Sequence, residues 1–117
     1  MSSSPNVEAL AEVERVVERG GDADDVLREV VAILHVRLGR FVRISFVEEH
    51  ALGPGPAAGD EQPSEEFPIR FEGAYVANLE IGAQLPADDR ALAERVASLV
   101  APYALVGWDT GGEAWEP

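Results

Sequence analysis

In the run Phe67 to Ile81, FPIRFEGAYVANLEI, two alternating segments meet at Glu72-Gly73, and an amphipathic run from Asp88 to Val106 follows. Apolar residues at every second position, a Gly-containing break and renewed alternation predict an antiparallel hairpin with one face on a core. Phe67 to Phe71 then buries Phe67, Ile69 and Phe71 and exposes Arg70. Ala74 to Ile81 buries Tyr75, Ala77, Leu79 and Ile81, while Asn78 and Glu80 point away.

Upstream of this hairpin the period is helical. From a candidate N-cap at Asn6, the residues Val7, Leu10, Val13 and Val17, with Val16 beside them, form a narrow stripe that stops at Gly20-Gly21. Asp22 offers a second N-cap, with Asp25 as a weaker analogue of a capping box. Val26, Leu27, Val30, Val31, Leu34 and Leu38 then form a wider stripe that closes at Gly39. Past Gly39 the period shortens to two: Phe41 to Val47 sets Val42, Ile44 and Phe46 on one face and Arg43 and Ser45 on the other. A brief strand over His50 to Leu52 precedes a Gly/Pro/acid loop from Gly53 to Glu66, where no apolar period is visible. Asp88 caps a last helix with the stripe Leu92, Val96, Leu99, Val100 and Tyr103, and Pro102 inside it predicts a bend near Ser98.

Composition narrows the chemistry. With 117 residues, 46% hydrophobic and 26% charged, the chain fits one domain with a single core. That domain is expected over residues 6–108, between a disordered lead at 1–5 and an acidic Gly/Trp tail at 109–117. There is no cysteine, which removes disulfides, thiolate metal sites and thiol nucleophiles together. The net charge is −13, and all nine basic residues are arginine. So acidic a chain repels nucleic acid and anionic membranes, and neither is expected as a partner. With no basic leader and no apolar run of spanning length, a cytoplasmic protein is expected.

The segment Phe67-Pro68-Ile69 through Gly73-Ala74-Tyr75-Val76-Ala77-Asn78-Leu79-Glu80-Ile81, followed by Pro86-Ala87-Asp88-Asp89-Arg90-Ala91-Leu92-Ala93-Glu94-Arg95-Val96-Ala97, resembles a GAF domain, and residues 7 to 106 are covered. The resemblance implies an α+β fold: an antiparallel sheet with two N-terminal helices and one C-terminal helix packed mainly on one face. A profilin-like or roadblock-like scaffold has a similar element order. Ala77 stands where the family usually has glycine, and Gly53 to Glu66 is shorter than the section that in many members closes over a ligand. The cysteine-dependent members, and those with the cyclic-nucleotide signature NKFDE, are not matched by this sequence.

Candidate chemistry is sparse. His35 sits near the apolar stripe of the second helix and reads as structural. His50 follows Glu48 and Glu49, but three consecutive strand positions alternate faces and cannot converge on a metal. No nucleophile elbow and no phosphate loop is present, so the expectation is a non-enzymatic module without cofactor or metal. Arg43, Ser45, Arg70, Glu72, Asn78 and Glu80 share one sheet face if the strands pair as read. This gives either a ladder of ion pairs or a polar ligand site at Arg43, Ser45, Arg70 and Asn78, with the arginines on an anionic group. Trp108 and Trp115 are expected to anchor the tail or to face a protein partner. The functional expectation is a sensory or regulatory module binding a small molecule or a protein. The alternative is a homodimeric assembly module built from the first and last helices.

Overall fold

A computed structural model describes residues 5–48, 51–53, 55–82 and 84–112, except for the side chains at 5, 48, 51, 52 and 105–112. The lead 1–4, His50 and Trp115 lie outside the described residues, as does the side chain of Trp108.

Helix α1 spans Pro5–Arg19. Proline suits a first helical turn, where its fixed φ is already right and no N–H is needed. Asn6 therefore lies inside the helix instead of capping it, and its amide donates to Asp89 Oδ1 at 2.6 Å. The buried stripe is also rotated from the expected one: Ala9, Val13 and Val16 are buried, Leu10 and Val17 flank them, and Val7 is 58% exposed. Ala9 is small enough to let neighbouring helices approach, so the helix turns that edge inward.

Helix α2 spans Ala23–Leu38 and buries Ala23, Val26, Leu27, Val30, Val31 and Leu34. Asp22 has the extended backbone of an N-cap, but its side chain makes no capping bond; only its carbonyl takes part, accepting from Val26 N–H at 3.0 Å. Gly39 ends the helix at φ 67°, a conformation glycine adopts without strain, and its N–H donates to the His35 carbonyl. Arg37 ties α2 to α1 through Glu8 at 3.0 Å and through Glu12.

The sheet comprises β1 (Val42–Glu48), β2 (Ala51–Gly53), β3 (Ala57–Ala58), β4 (Ser64–Phe71) and β5 (Ala74–Gly82). Its order is β2-β1-β5-β4, with β3 also pairing to β1, and every pairing is antiparallel. The stretch from Gly53 to Glu66, read as a loop, thus holds β3 and the start of β4. Two alanines are too short to show a period, and Ser64 to Glu66 are polar. This segment is fastened along β1: Ile44 N–H donates to the Pro56 carbonyl at 2.9 Å.

Glu72 and Gly73 both have positive φ, 51° and 85°, as in the primed turns that match strand twist. The turn pairs Phe71 with Ala74 and Arg70 with Tyr75, but the next pair is Ile69 with Ala77. Val76 is therefore the extra residue of a β-bulge. Tyr75 leaves the core side, contrary to expectation, and joins Arg70 on the opposite face at 41% exposure, while Val76 is buried.

Helix α3 spans Ala87–Gly112, four residues into the segment read as tail. Asp88 lies within its first turn, and Pro86 supplies the first carbonyl, which accepts from Arg90 N–H at 3.0 Å. Pro102 removes the donor that Ser98 would have met. Ser98 is exposed, and the helix continues through the proline. Helices α2 and α3 pack on one face of the sheet, and α1 packs on α2 and α3. The Tyr103 hydroxyl donates to the Val17 carbonyl at 2.9 Å, which locks α3 to the end of α1. Among the described residues no helix is long and apolar enough to cross a membrane.

Candidate ligand site on the outer sheet face

Strand register sorts the residues of the sheet between its two faces. Ile44, Leu79 and Phe67 lie in one row and face the helices. The next rows alternate to the outer face. One holds Arg43, Glu80 and Glu66, the next Ser45, Asn78 and Pro68, and beyond the bulge come Arg70 and Tyr75. All four residues singled out from the sequence, Arg43, Ser45, Arg70 and Asn78, therefore share this face.

Glu80 is the hub of the first row. It is only 6% exposed, and a buried carboxylate needs partners. Its Oε1 accepts from Arg43 Nε at 3.2 Å and Nη2 at 2.6 Å. Its Oε2 accepts from the Ser45 hydroxyl at 2.8 Å. Arg43 also reaches Glu61 at 3.3 Å through Nη1 and lies 5.3 Å from the centroid of the Phe41 ring. The bond to Glu80 holds its guanidinium above the ordinary value, although desolvation works against this. Arg43 is thus engaged by two carboxylates.

Asn78, two residues away on β5, differs. It is 1% exposed, and among the described residues neither Nδ2 nor Oδ1 has a hydrogen-bond partner. A buried primary amide left without partners forfeits roughly 1 to 3 kcal/mol. Native structures seldom leave such a group unsatisfied without a reason, such as a bound molecule.

Arg70 lies 5.6 Å from the centroid of the Tyr75 ring, a cation–π arrangement. Burial, Glu66 and Glu80 push the Tyr75 hydroxyl above its ordinary pKa, with Arg70 opposing them. Sequence reasoning missed Tyr75 because it placed this residue in the core.

The remaining candidates sit elsewhere. His35 Nδ1 donates to the Arg40 carbonyl at 2.8 Å, and its ring packs against Gly59, so close that a side chain there would collide with it. It has the structural place expected of it. No group of three or more His, Asp and Glu able to hold a metal occurs among the described residues.

An antiparallel sheet bearing its helices on one face and a polar outer face defines a GAF-like α+β domain. Solved structures agree. The free methionine-R-sulfoxide reductase of Neisseria meningitidis, in complex with its substrate, superposes with a TM-score of 0.73 at 15% identity, covering 92% of this chain and 95% of that one. The Nlh2 GAF domain of A. aeolicus in an inactive state gives 0.69 at 10% identity, covering 88% and 97%. The fRMsr of Staphylococcus aureus, also with substrate, gives 0.72 at 12% identity, covering 89% and 98%. No family model matches the chain, and no curated protein matches it in sequence. The expectation that the chain is not an enzyme is corrected here. Two of the structures sharing its fold are reductases, so this architecture carries catalysis as well as binding. Lack of a familiar catalytic motif was too weak a ground, because a fold does not fix a chemistry.

Proposed function

We propose that this GAF-like domain binds a small molecule over Asn78 on the outer face of its sheet and serves as a sensory or regulatory module whose signal is occupancy of that site. The observation that carries this reading is the Asn78 amide, 1% exposed and without a partner among the described residues, at the middle of the face. It offers one donor pair and one acceptor to a ligand. Ser45, in the same row, gives its proton to Glu80 and keeps acceptor capacity. Arg70 and Tyr75 supply a planar, partly exposed edge beyond the bulge. Arg43 acts as a positioning group, holding Glu80 and through it Ser45. The segment after β2 reaches the same network through Glu61, which gives occupancy a route to a neighbouring element.

The test is a panel of small molecules added to isotope-labelled protein, with the side-chain amide signal of Asn78 as readout. The panel holds free methionine-R-sulfoxide, small carboxylates and primary amides, and turnover is followed in the same samples. The reading expects a shift at Asn78 and its neighbours that Asn78→Val abolishes. Shifts confined to the helices, or a response unchanged in Asn78→Val, contradict it.

A further inference from the structure

Strand β4 presents Glu66, Pro68 and Arg70 in succession to the outer face, and all three are exposed. Three nearby acids have arginine partners: Glu80 and Glu61 hold Arg43, and Glu65 holds Arg90 at 2.7 Å. Among the described residues Glu66 makes no hydrogen bond or ion pair, and Arg70 has only the Tyr75 ring, 5.6 Å from its guanidinium. An unpaired acid and an unpaired base thus flank Pro68, whose short ring fills little of the space between them. Asn78, with its unsatisfied amide, stands directly across from Pro68. Burial and then Glu66 raise the Tyr75 hydroxyl above its ordinary pKa, and Arg70 works against them, so both charges act on one ring.

A molecule complementary to this row carries an ammonium, a central amide and a carboxylate in that order. We infer that a dipeptide lies here, extended along β4, an inference that rests on the Asn78 reading and adds the chemical class of what binds. Its ammonium donates to Glu66, its peptide carbonyl accepts from Asn78 Nδ2, and its carboxylate takes paired hydrogen bonds from Arg70, which the Tyr75 ring steadies. Length decides for two residues. Glu66 and Arg70 are four positions apart on β4, about 13 Å along a strand, and side chains stand roughly upright on a sheet. An extended dipeptide spans about 7 Å, and a hydrogen bond of about 2.8 Å at either end brings its reach to that separation. A free amino acid is too short to engage both ends, and a third residue overshoots. Charge argues the same way: a chain at −13 repels an anion but not a zwitterion.

The test titrates alanyl-alanine, its N-acetylated form, its C-terminal amide and free alanine into isotope-labelled protein, with the Asn78 side-chain amide signal as readout. Wild type is expected to bind alanyl-alanine at least about tenfold more tightly than any of the other three, since each lacks a charged hydrogen-bonded end or the length to reach it. Each charge is then matched to its residue. Glu66→Gln is expected to bind alanyl-alanine and its N-acetylated form equally, while still preferring the free carboxylate to the amide. Arg70→Gln is expected to lose that second preference and keep the first. These are ratios within one variant, so a change in its folded fraction does not imitate them. Wild type that binds the acetylated form, the amide or alanine as well as alanyl-alanine overturns the proposal, as do variants that keep both preferences. A response of Asn78 to a simple primary amide with none to alanyl-alanine overturns the dipeptide and leaves the site standing; no response to any of these compounds overturns both.

Discussion

Glu80 and Asn78 stand two residues apart on β5, face the same way and are almost equally buried, at 6% and 1% exposure. The carboxylate accepts three hydrogen bonds from Arg43 and Ser45, whereas the amide has no partner among the described residues. The difference follows from charge. A lone buried carboxylate is too unfavourable to persist in a folded domain, so the sequence must place its partners in register. A neutral amide can stay unsatisfied at roughly 1 to 3 kcal/mol, within the margin of a stable domain. One row of the sheet is therefore finished by folding, and the next keeps hydrogen-bonding capacity in reserve.

The comparison breaks most visibly at Arg43. Arg43→Ala leaves Glu80 buried without its main partner and is expected to destabilise the domain by about 2 to 4 kcal/mol, somewhat below a fully enclosed pair because Arg43 itself is partly exposed. Urea unfolding measures this, and a loss under about 1 kcal/mol would mean that Glu80 is served by solvent. Ser45→Ala should be milder, about 1 to 2 kcal/mol, since it removes one hydrogen bond to a charged acceptor. If it matches Arg43→Ala, the network is more cooperative than its pairs indicate.

Two smaller effects calibrate the scale outside this pair. Glu72 holds a positive φ that asparagine tolerates better, so Glu72→Asn should stabilise by about 0.5 kcal/mol and raise the melting temperature slightly. Glu65 accepts from Arg90 and from Leu85 N–H at 2.9 Å, and these bonds hold its carboxyl below the ordinary value. A depressed acid contributes stability that is present above its unfolded pKa and lost as pH falls through the folded one. Acid unfolding of Glu65→Gln should therefore be less steep at the low end of the carboxylate range, and an unchanged profile would remove Glu65 from the acid response.

Much of this contrast was legible along the chain. Alternation in Phe41 to Val47 placed Arg43 and Ser45 on the outer face, and the apolar set Leu79 and Ile81 did the same for Asn78 and Glu80. The bulge was legible only as a contradiction. Counting from a two-residue turn at Glu72-Gly73 pairs Phe67 with Asn78, whereas the apolar pattern demands Leu79, and one extra residue on β5 resolves the conflict. Tyr75 moved to the outer face for that reason. Neither β3 nor the burial of Asn78 could be read, because two alanines carry no period and alternation assigns a face but not what covers it. The rotation of α1 escaped for a similar cause: Ala9 is apolar but small, and a stripe drawn through the valines passes it by.

The most direct test of the account replaces the unsatisfied amide with an apolar residue suited to a strand. Asn78→Val removes a buried polar group that meets no partner among the described residues, so urea unfolding should show a gain of about 1 to 3 kcal/mol, together with loss of the ligand response at the sheet face. A comparable loss of stability would contradict the account, since it would mean that the amide already makes a hydrogen bond the folded domain depends on.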